Sequence, residues 1–129
     1  MILIIGGAFQ GKRKCSREVL GITSEEYEQG LADGYTDHIG QALHSRYIAA
    51  YHLFLRKAIE EGKEPDQYTC QVIDGNPRVV SMDEVGYGIV PMEVSDRIYR
   101  EAVGRCGQIL AEQADMVYRV ICGIPVRIK

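Results

Sequence analysis

The feature that most constrains the fold lies at the front of the chain, where the apolar run Met1-Ile2-Leu3-Ile4-Ile5 leads into Gly6-Gly7-Ala8-Phe9-Gln10-Gly11-Lys12 and then a helical segment. This is the strand, loop and helix order of a phosphate-binding loop. Its glycines let backbone N–H groups converge on phosphate oxygens, and its lysine adds a point charge. The apolar run begins at residue 2, so the loop falls where the first strand of a parallel sheet ends, the edge at which α/β sheets bind ligands. The pattern holds through Lys12 and departs at Arg13, which stands where a Ser or Thr hydroxyl would hold Mg²⁺. Lys12, Arg13, Lys14 and Arg17 crowd cations toward a helix start in a chain of formal net charge −3. The helix dipole disfavours them there unless an anion offsets the charge. The candidate phosphate site is therefore Gly6, Gly7, Ala8, Phe9, Gln10, Gly11, Lys12 and Arg13.

With 129 residues, 46% hydrophobic and 26% charged, the sequence reads as a single domain, 1–129, large enough to bury a core. No apolar run reaches the length of a membrane span, and the front lacks the charged start of a signal peptide. The reading is a cytoplasmic protein with no membrane span and no nucleic-acid partner. Cys15, Cys70, Cys106 and Cys122 show no C-x-x-C spacing, so they read as reduced thiols in core or boundary positions rather than a zinc or redox site.

Along the chain, the first helix is predicted from Gly11 to Val19 or Leu20, stopping at Gly21. A capped short turn follows at Thr23-Ser24-Glu25-Glu26. A short strand is expected to end at Asp33. A long helix is predicted from Asp37 as N-cap to Gly62, with Ile39, Leu43, Tyr47, Ala50, Tyr51, Phe54 and Ala58 along one face. Its further apolar residues, Leu53 and Leu55 among them, spread over more than one face and suggest a homo-oligomer. A weaker helix opens at Pro65 and closes before the turn cluster Asp74-Gly75-Asn76-Pro77. Arg78–Met82 reads as a buried strand running into Asp83-Glu84-Val85-Gly86-Tyr87-Gly88-Ile89-Val90-Pro91. A helix from Glu93 or Ser95 to Ala114 turns Ile98, Ala102, Val103, Cys106, Leu110 and Ala114 to one side, a strand spans Met116–Cys122, and Gly123–Lys129 can add another. Strands alternating with helices predict an α/β protein: a three-layer P-loop-type fold whose mainly parallel sheet is flanked by helices.

The run Glu84-Val85-Gly86-Tyr87-Gly88-Ile89-Val90-Pro91, followed by Arg97, Tyr99-Arg100, Gly104-Arg105, Gln108, Leu110, Ala111, Ala114-Asp115, Val117, Gly123-Ile124 and Ile128-Lys129, resembles the C-terminal half of the adenosylcobinamide kinase/adenosylcobinamide-phosphate guanylyltransferase family. Residues 20–77 resemble it in the order of elements alone. The resemblance implies nucleotide and corrinoid substrates in cobalamin assembly, ATP or GTP as the bound cofactor, and a trimer. The chain departs from the family pattern at Gln10 and Arg13, where the family carries Ser, at Asp83, where Asn is common, and at Gly107. The family passes GMP through a histidine set between arginines, in a segment that this chain lacks. His38, His44 and His52 have no such arginines and read as core or surface residues, so the guanylyltransferase half is expected to be missing.

For the kinase half, Lys12 and its loop supply the phosphate cradle. Asp33, Asp83 and Glu84 are the carboxylates expected at strand ends. Lys12, Glu84 and Asp33 are the catalytic candidates, Glu84 foremost because it lies within the resemblance. Asp33 and Asp83 are candidates for holding Mg²⁺, with turn capping as the alternative. Arg13 admits two outcomes: it takes over charge neutralisation at the phosphates, or it fills the metal position and stops transfer. The leading reading is a P-loop nucleotide-binding protein with kinase-type activity on a corrinoid or related alcohol. Its rivals are a non-catalytic nucleotide- or corrinoid-binding module or pathway partner, and a site for inorganic phosphate alone.

Overall fold

The structure is a computed structural model that describes residues 1–85 and 93–129. Strand β1 (Ile2–Gly6) runs into the loop and helix α1 (Lys12–Leu20), which stops at Gly21 in the left-handed region, φ 65°. The capped turn is a short helix, α2 (Ser24–Gln29), with Thr23 Oγ accepting the Glu26 N–H at 3.1 Å. Then come β2 (Leu31–Asp33), a 3₁₀ turn (Ile39–Leu43), β3 (Tyr47–Ala49), α3 (Tyr51–Glu60), α4 (Pro65–Asp74) and β4 (Val79–Asp83). Helix α5 (Val94–Gln113), β5 (Met116–Ile121) and β6 (Ile124–Arg127) complete the described chain. Gly86-Tyr87-Gly88-Ile89-Val90-Pro91, the centre of the family-like run, lies outside the described residues.

The strands form one sheet in the order β2-β3-β4-β1-β5-β6, all parallel except β6, which returns against β5 through a turn at Cys122 (φ 51°) and Gly123 (φ 78°). Positive φ at both central residues is the hairpin turn that matches strand twist. Alternate β1 residues divide the core in two. Ile2 and Ile4 pack with Cys15, Tyr27, Tyr47, Val79 and Val120 on the α1 side. Leu3, with Ile48, Val80, Met82 and Val117, packs on the opposite side against Phe54, Leu55, Val72, Val103 and Leu110 from α3, α4 and α5. The expected three-layer α/β architecture is the observed one.

The single helix from Asp37 to Gly62 does not exist. Its length is divided among the 3₁₀ turn, β3 and α3, with Ala50 at φ 54° making the break. Ile39, Tyr47, Ala50, Tyr51, Phe54 and Ala58 are all buried as expected, but from three different elements. Three consecutive buried residues, Tyr47-Ile48-Ala49, are the signature of a strand covered on both faces, and they also fit a helical period. Tyr51, His52 and Leu55 face the interior and Leu53 is half-buried. Ile98, expected on the buried face of α5, is exposed. Cys15 and Cys106 are buried and Cys70 and Cys122 are exposed, all four as free thiols.

Candidate functional site

The site lies at the carboxyl ends of β1, β3 and β4. Gly6 ends β1 beside Val120 of β5. A Cβ there would sit 2.6 Å from the Val120 carbonyl oxygen, so no larger residue fits this register. Beyond it, Phe9 (φ 59°) and Gly11 (φ 94°) both take the left-handed conformation. Residues of this kind let successive amides face one concavity, at a cost of about 1–2 kcal/mol for a residue with a Cβ. Gln10 fastens the loop from behind. Its side-chain oxygen accepts the Cys122 N–H, and its carbonyl accepts the Gly123 N–H at 2.9 Å. The residue at the family's serine position thus ties the loop to the β5–β6 turn.

Helix α1 starts at Lys12, whose ammonium donates to the Gly7 carbonyl at 2.6 Å and pairs with Asp83 Oδ1 at 2.6 Å. Asp83 occupies this place because β4 lies next to β1 in register, Gly6 opposite Asp83. His52, at the start of α3, approaches Asp83 from the other side. Its Nδ1 accepts the Asp83 N–H at 3.1 Å, and its Nε2 lies 3.4 Å from Asp83 Oδ2. A ring nitrogen that accepts an amide proton carries none of its own, so the imidazole is the neutral Nε2–H tautomer. Burial holds the His52 pKa below its ordinary value, and the nearby Lys12 and Arg56 charges add to this against the opposing pull of Asp83. One carboxylate is therefore shared by the loop lysine and a buried neutral histidine.

Above this floor is a cavity of about 440 Å³ lined by the loop from Ala8 to Lys14 together with Tyr35, Ala49, Ala50, Ser81 and Asp83. That volume falls in the range of small-molecule sites. Below it, the buried Tyr27 hydroxyl neighbours the Ser16 and Ser81 hydroxyls without a well-formed hydrogen bond, and burial raises its pKa.

Arg13 turns away from the loop toward β2. Its Nη2 pairs with Asp33 Oδ2 at 2.5 Å, and Nη1 lies 3.8 Å from Glu28. The other Asp33 oxygen accepts the Tyr35 N–H at 3.0 Å, so Asp33 both caps the turn after β2 and binds Arg13. Glu84 points to the opposite face from Asp83, as successive strand residues do. There it forms a two-point pair with Arg119, at 2.8 and 3.1 Å. It lines a second, more apolar cavity of about 370 Å³ between the sheet and α5. The structure thus brings Lys12 and Asp83 together, sets Asp33 to one side with Arg13, and places Glu84 across the sheet. His52, which composition and spacing did not mark as a site residue, joins them through the Asp83 amide.

The donors do not fit a protein-held Mg²⁺. Asp83 is the one carboxylate among the described residues lining the cavity, both its oxygens already face partners, and Arg13 replaces the hydroxyl. Among the described residues no cluster of three His, Cys, Asp or Glu side chains could hold a metal. No helix among them is long and apolar enough to cross a membrane.

Comparison with known proteins places the chain in a family. The family model described as cobinamide kinase / cobinamide phosphate guanyltransferase matches residues 25–128. The bifunctional adenosylcobalamin biosynthesis protein CobU of Salmonella typhimurium is 47% identical over 51 residues, 40% of this chain and 28% of that protein. That alignment spans little more than a quarter of the relative's length. The CobU protein of Escherichia coli is 25% identical over 181 aligned positions, covering 100% of this chain and 99% of the relative. The alignment exceeds the 129 residues present here, so the relative carries a sizeable length without counterpart in this chain. The chain belongs to the cobinamide kinase / cobinamide phosphate guanyltransferase family.

Proposed function

We propose that the chain binds ATP or GTP at the Gly6–Lys12 loop and transfers the terminal phosphoryl group to an alcohol of a corrinoid such as cobinamide. The observation that carries this reading is the placing of the Lys12 ammonium between the Gly7 carbonyl and Asp83, at the floor of the cavity that the loop overhangs. In the transfer, the bond from the terminal phosphorus to its bridging oxygen breaks and one to the acceptor oxygen forms. The acceptor proton passes to Asp83, the carboxylate in reach. Phosphoryl transfer is largely positioning and charge neutralisation, and here the loop amides, Lys12 and Lys14 supply the positive field. His52 is the positioning residue for Asp83.

The guanylyltransferase half is absent in this reading. His38 caps the 3₁₀ turn and lies 3.1 Å from Glu61, His44 ends that turn, and the His52 ring is held by Asp83. The missing length relative to the E. coli protein agrees with this.

A second reading, nucleotide binding without transfer, draws support from the Arg13–Asp33 pair, which replaces a metal-holding hydroxyl with a fixed ion pair. One experiment separates the two: incubation with ATP or GTP and cobinamide, with and without Mg²⁺, followed by product analysis. Phosphorylated cobinamide supports the kinase. Tight nucleotide binding with no product, unimproved by Arg13→Ser, supports the binding module.

A further inference from the structure

Two aromatic rings on the lip of the loop cavity are exposed to solvent. Phe9 is 100% exposed although it sits in the left-handed conformation, which suits Gly or Asn far better than a large apolar residue. Tyr35 is 64% exposed and lines the same cavity from the β2 side. An apolar ring that packs on nothing, held at a strained position beside a cavity, is the kind of outlier that function explains better than folding does.

Tyr35 is also rigidly mounted. Its N–H donates to Asp33 Oδ1, and the Thr36 and Asp37 amides donate to the Asp33 carbonyl at 3.1 and 2.8 Å. Asp37 accepts the Asp33 N–H at 2.8 Å and is itself fixed by Lys57 through its carbonyl at 2.7 Å. Gly34 packs so closely on β3 that a Cβ would collide with the Ala50 carbonyl. Arg13 then links this turn to α1 through Asp33 Oδ2. Arg13, where the loop pattern calls for a hydroxyl, thus sets the spacing between the Tyr35 turn and the helix that carries the loop.

We propose that Phe9 and Tyr35 are the specificity-determining pair for the phosphoryl acceptor, holding its extended ring system so that its alcohol reaches past them to Asp83. Rings mounted on rigid backbone lose little entropy on binding and offer their faces to an extended ring system. The loop contributes backbone amides to the nucleotide, so the Phe9 side chain is free for the acceptor. This inference rests on the kinase reading of the same cavity.

The test is equilibrium binding of cobinamide and, separately, of ATP and GTP to the full chain and to Tyr35→Ala, Phe9→Ala and Phe9→Gly, the last of which also relieves the strained backbone. Each variant is expected to weaken cobinamide binding about tenfold, Tyr35→Phe to keep most of the affinity, and nucleotide affinity to change less than about twofold in the Tyr35 variants, whose residue lies outside the loop. A small aliphatic amino alcohol, which has no ring to grip, should be insensitive to all of them. Unchanged cobinamide affinity in the alanine variants overturns the inference and leaves the kinase reading standing. Loss of nucleotide affinity in Tyr35→Ala instead assigns that ring to the base and also overturns it. Failure of the unmodified chain to bind cobinamide at all sinks both.

Discussion

Asp83 and Glu84 are neighbours in sequence, yet they serve different halves of the molecule. Asp83 faces the α1 side with the register of Gly6, meets Lys12 and His52, and floors the loop cavity. Glu84 faces α5, closes on Arg119, and lines the apolar cavity between the sheet and that helix. At a strand end a shift of one residue exchanges one face for the other. A pair of acids there is one candidate base and one structural ion pair, and the parity of the register decides which is which.

The sharpest way to break this contrast is at the shared lysine. Lys12→Ala removes the point charge and leaves Asp83 facing His52 without its cation, so kcat for phosphoryl transfer is expected to fall by about 10³ or more in a steady-state assay. Next comes the acid itself. Asp83→Asn should lower kcat by about 10²-fold with little change in nucleotide affinity, whereas Glu84→Gln should lower kcat by less than about threefold. The reverse pattern would show that catalysis works from the α5 side and that the contrast is drawn backwards.

A finer cut comes at His52. Replacing it with Ala strands the Asp83 N–H and should cost about 1–3 kcal/mol in urea unfolding together with a fall in kcat, whereas His52→Asn, which can accept that N–H, should recover part of both. If Asn rescues stability but not kcat, the histidine does more than hold the amide.

The α5 half has its own signature, in alkali. Burial raises Cys106 from 9.0 to about 11 and Tyr99 from 10.0 to about 12, so the folded state keeps protons that the unfolded chain releases. The stability these groups add is complete below their unfolded pKa values and is lost as pH climbs through the folded ones. Thermal melts should therefore show a falling Tm from about pH 9 toward pH 11. The smallest effect expected is at Gly107, in α5 beside the apolar cavity, where among the described residues an added Cβ meets only Met82 Cε at 3.9 Å. Gly107→Ala should raise stability by about 0.5–1 kcal/mol and leave kcat alone. A loss of activity there would make the second cavity a working site.

Much of this was legible in the sequence, because local signals and tertiary needs agree where the chain begins and ends. The strand–loop–lysine order, the Gly21 stop, the Pro65 start and the α5 stripe from Ala102 to Leu110 are strong local signals. Residues 37–62 do not. Tyr47, Ala50, Tyr51, Phe54 and Ala58 satisfy a helical period while belonging to a buried strand and the helix after it, and the break rests on Ala50 in a left-handed conformation that no residue type there announces. The site was half legible for a related reason. Lys12 is fixed by a local motif, whereas choosing among Asp33, Asp83 and Glu84 requires strand register, and His52 reaches the site only because α3 begins beside the end of β4.

The most direct test of the whole account is a crystal structure with a non-hydrolysable ATP or GTP analogue. The terminal phosphates are expected within hydrogen-bond reach of Lys12 Nζ and the amides of residues 7–11, with Asp83 facing the open side of the last phosphate. A nucleotide bound elsewhere, or a loop whose amides point away from the phosphates, would contradict it.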